Sequence, residues 1–521
     1  MPLTPISQLK RAVRDGLAYL RTQPDIAEAE VFASANGNLT VRLNYTSRIP
    51  SNGVEEPKSL ESYGLGIRIA INTPDGVKTG FGSEPTDLSI EGVKQALDKA
   101  RRGAVLDREY VSLPKPTGER PTLSRYHDPA IMRVSNNRMV QVGWRTVERA
   151  LEVFSTSEDL LNLAGSAQGV RDLGLILGGD VVMLQERMAI GSCHMPKVQT
   201  DESSMVMAFT TAMLEDQHAK GTGWSASSHL TEYDGDSGAE AAQNAISSVN
   251  GQRVPGGAYR VILGPQTLAE ILEWVLMPSL HVEMFYAGAS TFLGKFGQKV
   301  ASEGLSIYDD GSAPGLAASK AITDDGLLTG RVDLIRNGVL AGALANHYEH
   351  QRILNDPKGS KKLGVDPRQV AQAIAPRNGF RTGRGGGRNF DSPPSVTPTN
   401  LIVEGSDKHS HEELLKLVGD GLYIGRIWYT YPVNGIGAGD FSGTVVGDSY
   451  IIKDGRIAAP LKPNTLRMND NIHKVLNNIL GIGAHRSGTV RWASDQVTWA
   501  PEVAVEDFHL DEIGEYMEQV F

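Results

Sequence analysis

The sequence has very little cysteine and no long apolar run. Its single cysteine, Cys193, cannot form an internal disulfide, which excludes a small disulfide-stabilised secreted domain. No stretch reaches the ~18 consecutive apolar residues of a membrane-spanning helix, and Met1 to Arg11 lack the apolar core of a secretory signal. We therefore expect a cytoplasmic protein of a reducing compartment, without a membrane partner.

Positive charge is also scarce for a nucleic-acid-binding protein. The 521 residues include 51 lysines and arginines against 61 acidic residues, which gives a formal net charge of −10. Proteins that bind the phosphate backbone usually concentrate basic residues on one surface. Only the glycine-rich segment from Arg381 through Arg384 to Arg388 is locally basic enough to contact phosphates. A flexible loop is the other interpretation of this segment, and the acidic chain favours it.

Glycine is abundant in contrast, with 57 residues, while aromatic residues make up 6% of the chain. This glycine content exceeds the ~7% that is usual in proteins. Glycine favours tight turns and close backbone approaches, so the composition argues against a helical bundle. The ordinary proportions of 40% hydrophobic and 21% charged residues exclude global disorder, a collagen repeat and a coiled coil.

Hydrophobic periodicity predicts both helices and strands. Apolar residues recur at three and four spacing over 6–20 and 90–100, which predicts helices, and they alternate over 65–71, which predicts a strand. Asn36-Gly37 predicts a type I′ turn between two short strands. Beyond residue 252 short strands dominate, and Asn337-Gly338 and Asp454-Gly455 predict β-hairpins.

The fold class that follows is α+β, with an N-terminal α/β part built on mixed or antiparallel sheets and a β-rich C-terminal domain. The predicted units are an α+β domain at 1–103, a linker or insertion at 104–128, a second α+β domain at 129–251, and the β-rich domain at 252–521 with a flexible glycine- and proline-rich loop at about 377–399.

Histidine and carboxylate residues offer only weak metal-ligand patterns. A His-Glu-x-x-His helix, which brings two imidazoles to one face for zinc, is absent from the sequence. His281 lies two residues before Glu283, and His347 lies three residues before His350. A local polar cluster and an exposed turn are the other interpretations of these pairs, because two such side chains alone do not complete a zinc site.

A series of short segments carries a resemblance that covers most of the chain. These segments are Glu30-Val-Phe, Leu65-Gly-Ile-Arg-Ile with Thr79-Gly-Phe-Gly, Tyr259 to Pro265, Ser290 to Val300, Asp309 to Gly311, Asp324 to Gly326, Leu334 to Gly342, Pro398 to Gly405, Gly437 to Gly443 and Tyr450 to Ile457. In their order and spacing they resemble the TldD/PmbA family, the modulators of DNA gyrase or U62-like peptidases.

The resemblance implies a particular member type. In this family a TldD-type subunit is a zinc peptidase with a His-Glu-x-x-x-His helix and a late cysteine, and it pairs with a PmbA- or TldE-type subunit. The corresponding segment here is about Glu270 to Pro278, which contains no histidine, and no cysteine follows Cys193. The resemblance therefore implies a PmbA/TldE-type subunit with no catalytic residue and no cofactor of its own, and with zinc in its TldD-type partner.

The implied function is to form a heterodimer with a TldD-type metallopeptidase and to hold unfolded or leader-bearing peptides for proteolysis, as a strand added to a sheet edge. Gly437, Gly439, Asp440, Phe441 and Ser442 are expected at the wall of the cleft. Two alternatives stay open. One is a stand-alone enzyme of peptide or natural-product maturation, with an atypical metal site or a repurposed cleft. The other is a nucleic-acid-associated factor that uses the three arginines of the basic segment.

Overall fold

The computed structural model describes residues 3–119, 123–382, 386–490 and 496–514. In this part of the chain, two large sheets with helices packed against them make up the fold. Within the same ranges, no helix is both long enough and apolar enough to cross a membrane.

The N-terminal half is built on a sheet of seven strands. They are β1 Glu28–Thr46, β2 Lys58–Thr73, β3 Gly76–Pro85, β4 Val105–Leu106, β5 Leu175–Ser192, β6 Gln199–Leu214 and β7 Ala219–Ser227. Their order in the sheet is β4-β3-β2-β1-β5-β6-β7, and every neighbouring pair is antiparallel. This arrangement confirms the predicted α+β class with an antiparallel N-terminal sheet.

Amphipathic helices cover this sheet. They are α1 Ile6–Leu20, α2 Ile90–Arg102, α3 Asn136–Thr156, α4 Glu158–Ala164, α5 Ala167–Asp172 and α6 Asp236–Ser247. The apolar side chains of α1 and α2 pack with β1 and β2 in one core cluster, and those of α3 and α6 pack with β5 and β6 in another. Ser89 caps α2 by accepting a hydrogen bond from the Glu91 N–H, and basic residues in the last turn complement the helix dipole.

The predicted turn at Asn36-Gly37 is wrong, because both residues lie inside the continuous strand β1. Strand β1 pairs along its length with β2 on one side and with β5 on the other, so the backbone has partners on both edges. The strands of 1–103 and of 129–251 therefore share one sheet, which the sequence analysis did not predict. The predicted domain boundaries stay a prediction.

The C-terminal half contains a mixed sheet of fourteen strands and a separate pair. The strands are β8 Gly257–Leu263, β9 Leu305–Asp310, β10 Arg331–Arg336, β11 Val339–Leu340, β12 Gly379–Phe380, β13 Ser395–Val396, β14 Asn400–Gly405, β15 Lys408–His409, β16 Gly421–Ile424, β17 Arg426–Val433, β18 Asp440–Gly447, β19 Tyr450–Lys453, β20 Arg456–Pro460, β21 Leu466–Asn471, β22 Ile479–Val490 and β23 Val497–Glu512. The predicted β-rich C-terminal region is confirmed, as are the hairpins at Asn337-Gly338 and Asp454-Gly455, whose residues adopt positive φ angles.

Most helices of this half surround one large apolar core, and the helix at 411–418 packs in a separate smaller cluster. The helices are α7 Pro265–Ile271, which continues through a π-helical turn at Leu272–Leu276 into α8 Met277–Ser279, then α9 Val282–Ala287, α10 His347–Asn355, α11 Gly359–Leu363, α12 His411–Val418 and α13 Ile472–Asn477. Phe285, Phe292 and Phe508 are fully buried in this core together with residues of β8 and β23. Helix α12 begins with a capping box, in which Ser410 and Glu413 bond to each other's backbone N–H.

Buried ion pairs connect the two halves. Arg381 is 0% exposed, and its Nη2 donates to Glu30 Oε1 of β1 at 2.6 Å. Arg68 of β2 binds the same carboxylate through its Nε at 2.9 Å and also Asp325 Oδ1 at 2.8 Å. The described part of the predicted flexible loop at 377–399 is thus packed against the N-terminal sheet, since Arg388, 1% exposed, also pairs with Asp201 at 2.9 Å.

Candidate functional site

Two cavities share lining residues along the cleft between the halves. The larger has a volume of about 780 Å³ and the smaller about 400 Å³. Trp224 of β7 and Gln266 of α7 line both of them. Volumes of this size are typical of ligand sites in proteins, and a site between two packed halves is a common location.

The helix α7 and its π-helical turn contribute one wall of the smaller cavity. Gln266, Glu270 and Trp274 follow one another at intervals of four residues and all line it. Gln266 Oε1 accepts a hydrogen bond from the Ile427 N–H at 3.1 Å, which ties this helix to the start of β17. A π-helical turn is rare and is found often at functional sites, where it changes the direction of side chains.

Aromatic rings form the other walls of the smaller cavity. Phe209 and Trp224 stack with their ring centroids 4.4 Å apart, and Trp428 and Tyr429 of β17 lie at the cavity as well. The Arg426 guanidinium lies 5.2 Å from the ring centroids of both Phe209 and Trp428. Burial lowers the pKa of Arg426 from its ordinary value, opposed by the charge of Asp448.

Strand β17 is irregular where it meets this cavity. Its register with β18 shifts between Trp428 and Tyr431, and Tyr429 has a φ of 55°. A positive φ is uncommon for a bulky non-glycine residue and indicates local strain. Among the strands of the described ranges, β17 pairs only with β18, so its other edge is not bonded to a strand.

Helix α6 covers the outer edge of β7 beside the larger cavity. Glu240 Oε2 accepts from the Trp224 N–H at 3.1 Å, and Asn244 Nδ2 donates to the Thr222 carbonyl at 2.9 Å. Ser248, which follows the helix, donates its hydroxyl to the Lys220 carbonyl at 2.9 Å. These three bonds satisfy edge groups of β7 that would otherwise bind an added strand.

Carboxyl and phenol groups with shifted pKa values line the larger cavity. Desolvation raises the pKa of Glu240 to about 7, opposed by its bond to the Trp224 N–H, although the side chain is open to solvent within the cavity. Burial also raises the pKa of Asp448, opposed by a hydrogen bond from the Thr222 hydroxyl and by Arg426. Burial raises the pKa of Tyr450 to about 12. Clustered shifts of this kind are typical of functional sites and also of structural ion-pair networks.

The five residues expected at the cleft wall lie in and next to β18, at the end of the β17–β18 pair that is away from Trp428. Gly437 is in a 3₁₀ turn, and Gly439 follows it with a φ of 76°. Asp440 accepts hydrogen bonds from Asn471 and Asn434, while Phe441 and Ser442 are buried. Neither cavity is lined by any of the five. Their role in substrate binding stays a prediction.

The candidate metal ligands do not converge. His281 Nδ1 lies 3.5 Å from Glu283 Oε1, and His347 Nε2 lies 3.1 Å from the Ser112 carbonyl. His350 is largely buried, and desolvation lowers its pKa to about 4. In the described ranges no group of three or more histidine, cysteine, aspartate or glutamate side chains has a geometry that could hold a metal ion.

The proposed phosphate-binding arginines are placed differently from the prediction. Arg381 and Arg388 are enclosed and paired with carboxylates, so neither can present its guanidinium to a nucleic acid. Arg384 lies outside the described residues. The interpretation of these two arginines as phosphate-binding residues is therefore wrong. Their guanidinium groups are buried and paired with carboxylates, so their charges cannot reach a phosphate in solution.

The aromatic residues of the smaller cavity were not identified from the sequence. The only signal is the dense aromatic run Trp428-Tyr429-Thr430-Tyr431 in a chain with 6% aromatic residues. Phe209 and Trp224 lie opposite each other on β6 and β7, and Trp274 joins them only because the π-helical turn after α7 lines the same cavity.

Comparisons with known proteins agree with this architecture. Residues 256–511 match the family model described as the PmbA/TldA metallopeptidase C-terminal domain. A "Metalloprotease TldD homolog" of Buchnera aphidicola subsp. Acyrthosiphon pisum is 23% identical over 465 residues, covering 85% of this chain and 86% of that protein. A "Metalloprotease" of Methanothermobacter thermautotrophicus is 24% identical over 247 residues, and the match spans only 47% of either protein. The solved structure of TldE from Thermococcus kodakarensis superimposes with a TM-score of 0.75 at 16% identity, covering 97% of this chain and 100% of that one.

Proposed function

The chain belongs to the TldD/PmbA family, and on that premise we propose that it is a PmbA/TldE-type subunit of a two-part peptidase. In this proposal it forms a heterodimer with a TldD-type metallopeptidase and helps to bind and process unfolded or leader-bearing peptides. The names of two relatives, which are called metalloproteases, and the full-length fold similarity to a protein named TldE support the proposal. The predicted cytoplasmic location belongs to the same proposal.

The observation that supports the proposal most strongly is which side chains α7 and its π-helical turn present to the cleft. A zinc peptidase needs three protein ligands and an open position for water. The cleft-facing positions of α7 and its π-helical turn carry Gln266, Glu270 and Trp274 instead. An amide, one carboxylate and an indole do not fit zinc, and no described side chains complete a ligand set around them. The proposal therefore assigns the hydrolytic chemistry, with its zinc, to the partner.

The cleft offers a route for an extended peptide along β17. The edge of β17 that is not bonded to a described strand begins after Ile427, and Trp428, Tyr429 and Thr430 line the smaller cavity. Strand addition to such an edge binds a peptide through its backbone without strong sequence requirements, which suits unfolded substrates. The edge of β7 is less suited, since Glu240, Asn244 and Ser248 already occupy its outward groups.

Co-expression tests the proposal directly. The chain should co-elute with a TldD-type subunit from the same source, and the pair should cleave unstructured peptides faster than the TldD-type subunit alone, as followed by mass spectrometry. Trp274→Ala should slow cleavage without affecting co-elution, because the indole is 40% exposed at the cavity. Val105→Ala, which removes an exposed apolar side chain of β4 that lines neither cavity, should change neither.

Two results would overturn the proposal. One is that the chain neither co-elutes with the TldD-type subunit nor changes its cleavage of peptides. The other is a stoichiometric metal that stays with the chain alone through dialysis, measured by elemental analysis, because this would favour the alternative of a stand-alone metal enzyme.

A further inference from the structure

We infer that the smaller cavity is a specificity subsite that receives an aromatic side chain of the bound peptide. The inference rests on the proposed function, because it names the class of peptide that the cleft selects. The aromatic residues that line the cavity are Phe209, Trp224, Trp274, Trp428 and Tyr429.

The size and composition of the cavity suit a large flat apolar group. Its volume of about 400 Å³ exceeds that of any single side chain, and its aromatic rings come from four different elements. Trp274, Trp428 and Tyr429 are 40%, 38% and 74% exposed, so their rings are open to a ligand. Exposed apolar groups gathered in a concave site usually mark a binding surface, and rings favour offset or edge contacts with another ring.

Two buried polar atoms at this cavity lack partners. The indole Nε1 of Trp224 and the hydroxyl of Thr430 have no hydrogen-bond partner among the described residues, and both residues line the cavity. A buried donor without an acceptor is unfavourable, so a ligand that supplies an acceptor gains from binding there. A peptide carbonyl next to the inserted side chain is such an acceptor for the Trp224 N–H.

The charges around the cavity favour a neutral ring over a cation. Aromatic cages often bind ammonium groups, but the Arg426 guanidinium already lies near the faces of Phe209 and Trp428. Each of the two carboxylates that line the cavity already has an arginine partner. Asp180 pairs with Arg42 at 3.1 Å, and Glu270 interacts with Arg426. A lysine side chain would therefore meet a fixed positive charge without an uncompensated carboxylate.

Calorimetric titration of the full chain with capped pentapeptides tests the inference. The peptides differ only at the central residue, which is phenylalanine, alanine or lysine between glycines. We expect the phenylalanine peptide to bind about tenfold tighter than the alanine peptide, from the apolar area that the ring buries. The lysine peptide should bind no tighter than the alanine peptide. An absent phenylalanine preference, or a preference for lysine, would overturn the inference.

Substitutions in the cavity test whether the phenylalanine preference arises there. Trp274→Ala and Trp428→Ala should each remove most of the phenylalanine preference, whereas Tyr431→Ala should retain it. Trp224→Phe retains a ring but removes the indole N–H, so it should weaken all three peptides by a similar factor of about five. Retention of the preference in both alanine variants, with circular dichroism unchanged, would place the aromatic subsite elsewhere and refute the assignment. Co-elution with the TldD-type subunit is measured on the same samples, so loss of peptide selectivity and loss of the proposed partnership are separate results.

Discussion

Glu30 and Arg381 provide the sharpest test of what holds the two halves together. Both side chains are 0% exposed, and the Arg381 Nη2 donates to Glu30 Oε1 at 2.6 Å across the junction. Burial lowers the pKa of Arg381 to about 10, with the charge of Glu30 acting in the opposite direction. Loss of the Glu30 charge would leave the Arg381 guanidinium buried without its paired carboxylate. Arg68 is less affected, because it retains Asp325 at 2.8 Å.

We expect Glu30→Gln to lower the free energy of unfolding by about 3–5 kcal/mol, the usual effect of removing one partner from a buried ion pair. Replacing both charges should be milder, since a buried pair exchanged for groups without charge is often close to neutral. The double variant Glu30→Gln with Arg381→Met should therefore be more stable than the sum of the two single effects predicts. The Arg381→Met substitution also removes a hydrogen bond of 2.7 Å to the Ser392 carbonyl, so we do not expect the double variant to regain the full stability of the original chain.

The assay combines urea unfolding with hydrogen exchange of the segments 28–46 and 386–396, which lie on opposite sides of the junction. Hydrogen exchange reports local opening and does not require the whole chain to unfold in one step. Glu506→Gln is the matched control, because Glu506 pairs with Arg260 at 2.8 Å on the surface, where ion pairs contribute less than about 1 kcal/mol. The reasoning would be refuted if Glu30→Gln lowered the free energy of unfolding no more than the control does. It would also be refuted if the effects of the two single substitutions simply added up in the double variant.

Two further predictions concern the cleft and the junction. Because the pKa of Glu240 is about 7 in the folded chain against an ordinary 4.5, the unfolded chain loses this proton first as the pH rises, and stability should fall between about pH 4.5 and 7. Glu240→Gln should flatten this part of the pH profile of unfolding, and an unchanged profile would contradict the assignment. Gly66→Ala would place a methyl group against the Phe390 carbonyl and should destabilise the chain by about 1–3 kcal/mol. Urea unfolding measures this loss, and Gly447→Ala, where the added methyl group meets no atom within 4 Å, should leave the free energy of unfolding unchanged in the same measurement.

Local patterns predicted those parts of the fold that local chemistry determines. The helices at 6–20 and 90–100 agree with α1 and α2, and two hairpins were located from Asn-Gly and Asp-Gly alone. The same rule is wrong at Asn36-Gly37, where pairing of β1 on both edges outweighs turn propensity. The Asn36 side chain instead binds the backbone of Arg388 through bonds of 2.9 and 3.2 Å. A partner 352 residues away in sequence leaves no local pattern to read.

The candidate site was less predictable for the same reason. A helix without histidine near Glu270 to Pro278 could be recognised, but its π-helical turn and its position at a cavity could not. Glycine-rich motifs suggested Gly437 to Ser442 as the cleft wall, whereas it is the neighbouring strand β17 that lines the smaller cavity. The aromatic residues of the smaller cavity are separated by up to about two hundred positions, and only the sheet order and the packing of α7 bring them together.

The basic segment shows how the junction and the cleft depend on each other. Arg381 and Arg388 bind carboxylates of β1 and β6, which are strands of the sheet that ends in β7. On the adjacent edge strand β7, Thr222 donates to Asp448 in the connection that leads from β18 to β19. The C-terminal half is thus bonded to this sheet from its central strand β1 to its edge strand β7, which fixes Phe209 and Trp224 relative to Trp274 and Trp428. An aromatic subsite whose walls come from both halves requires such fixed spacing, because rings that could separate would lose their shared contact with a bound side chain.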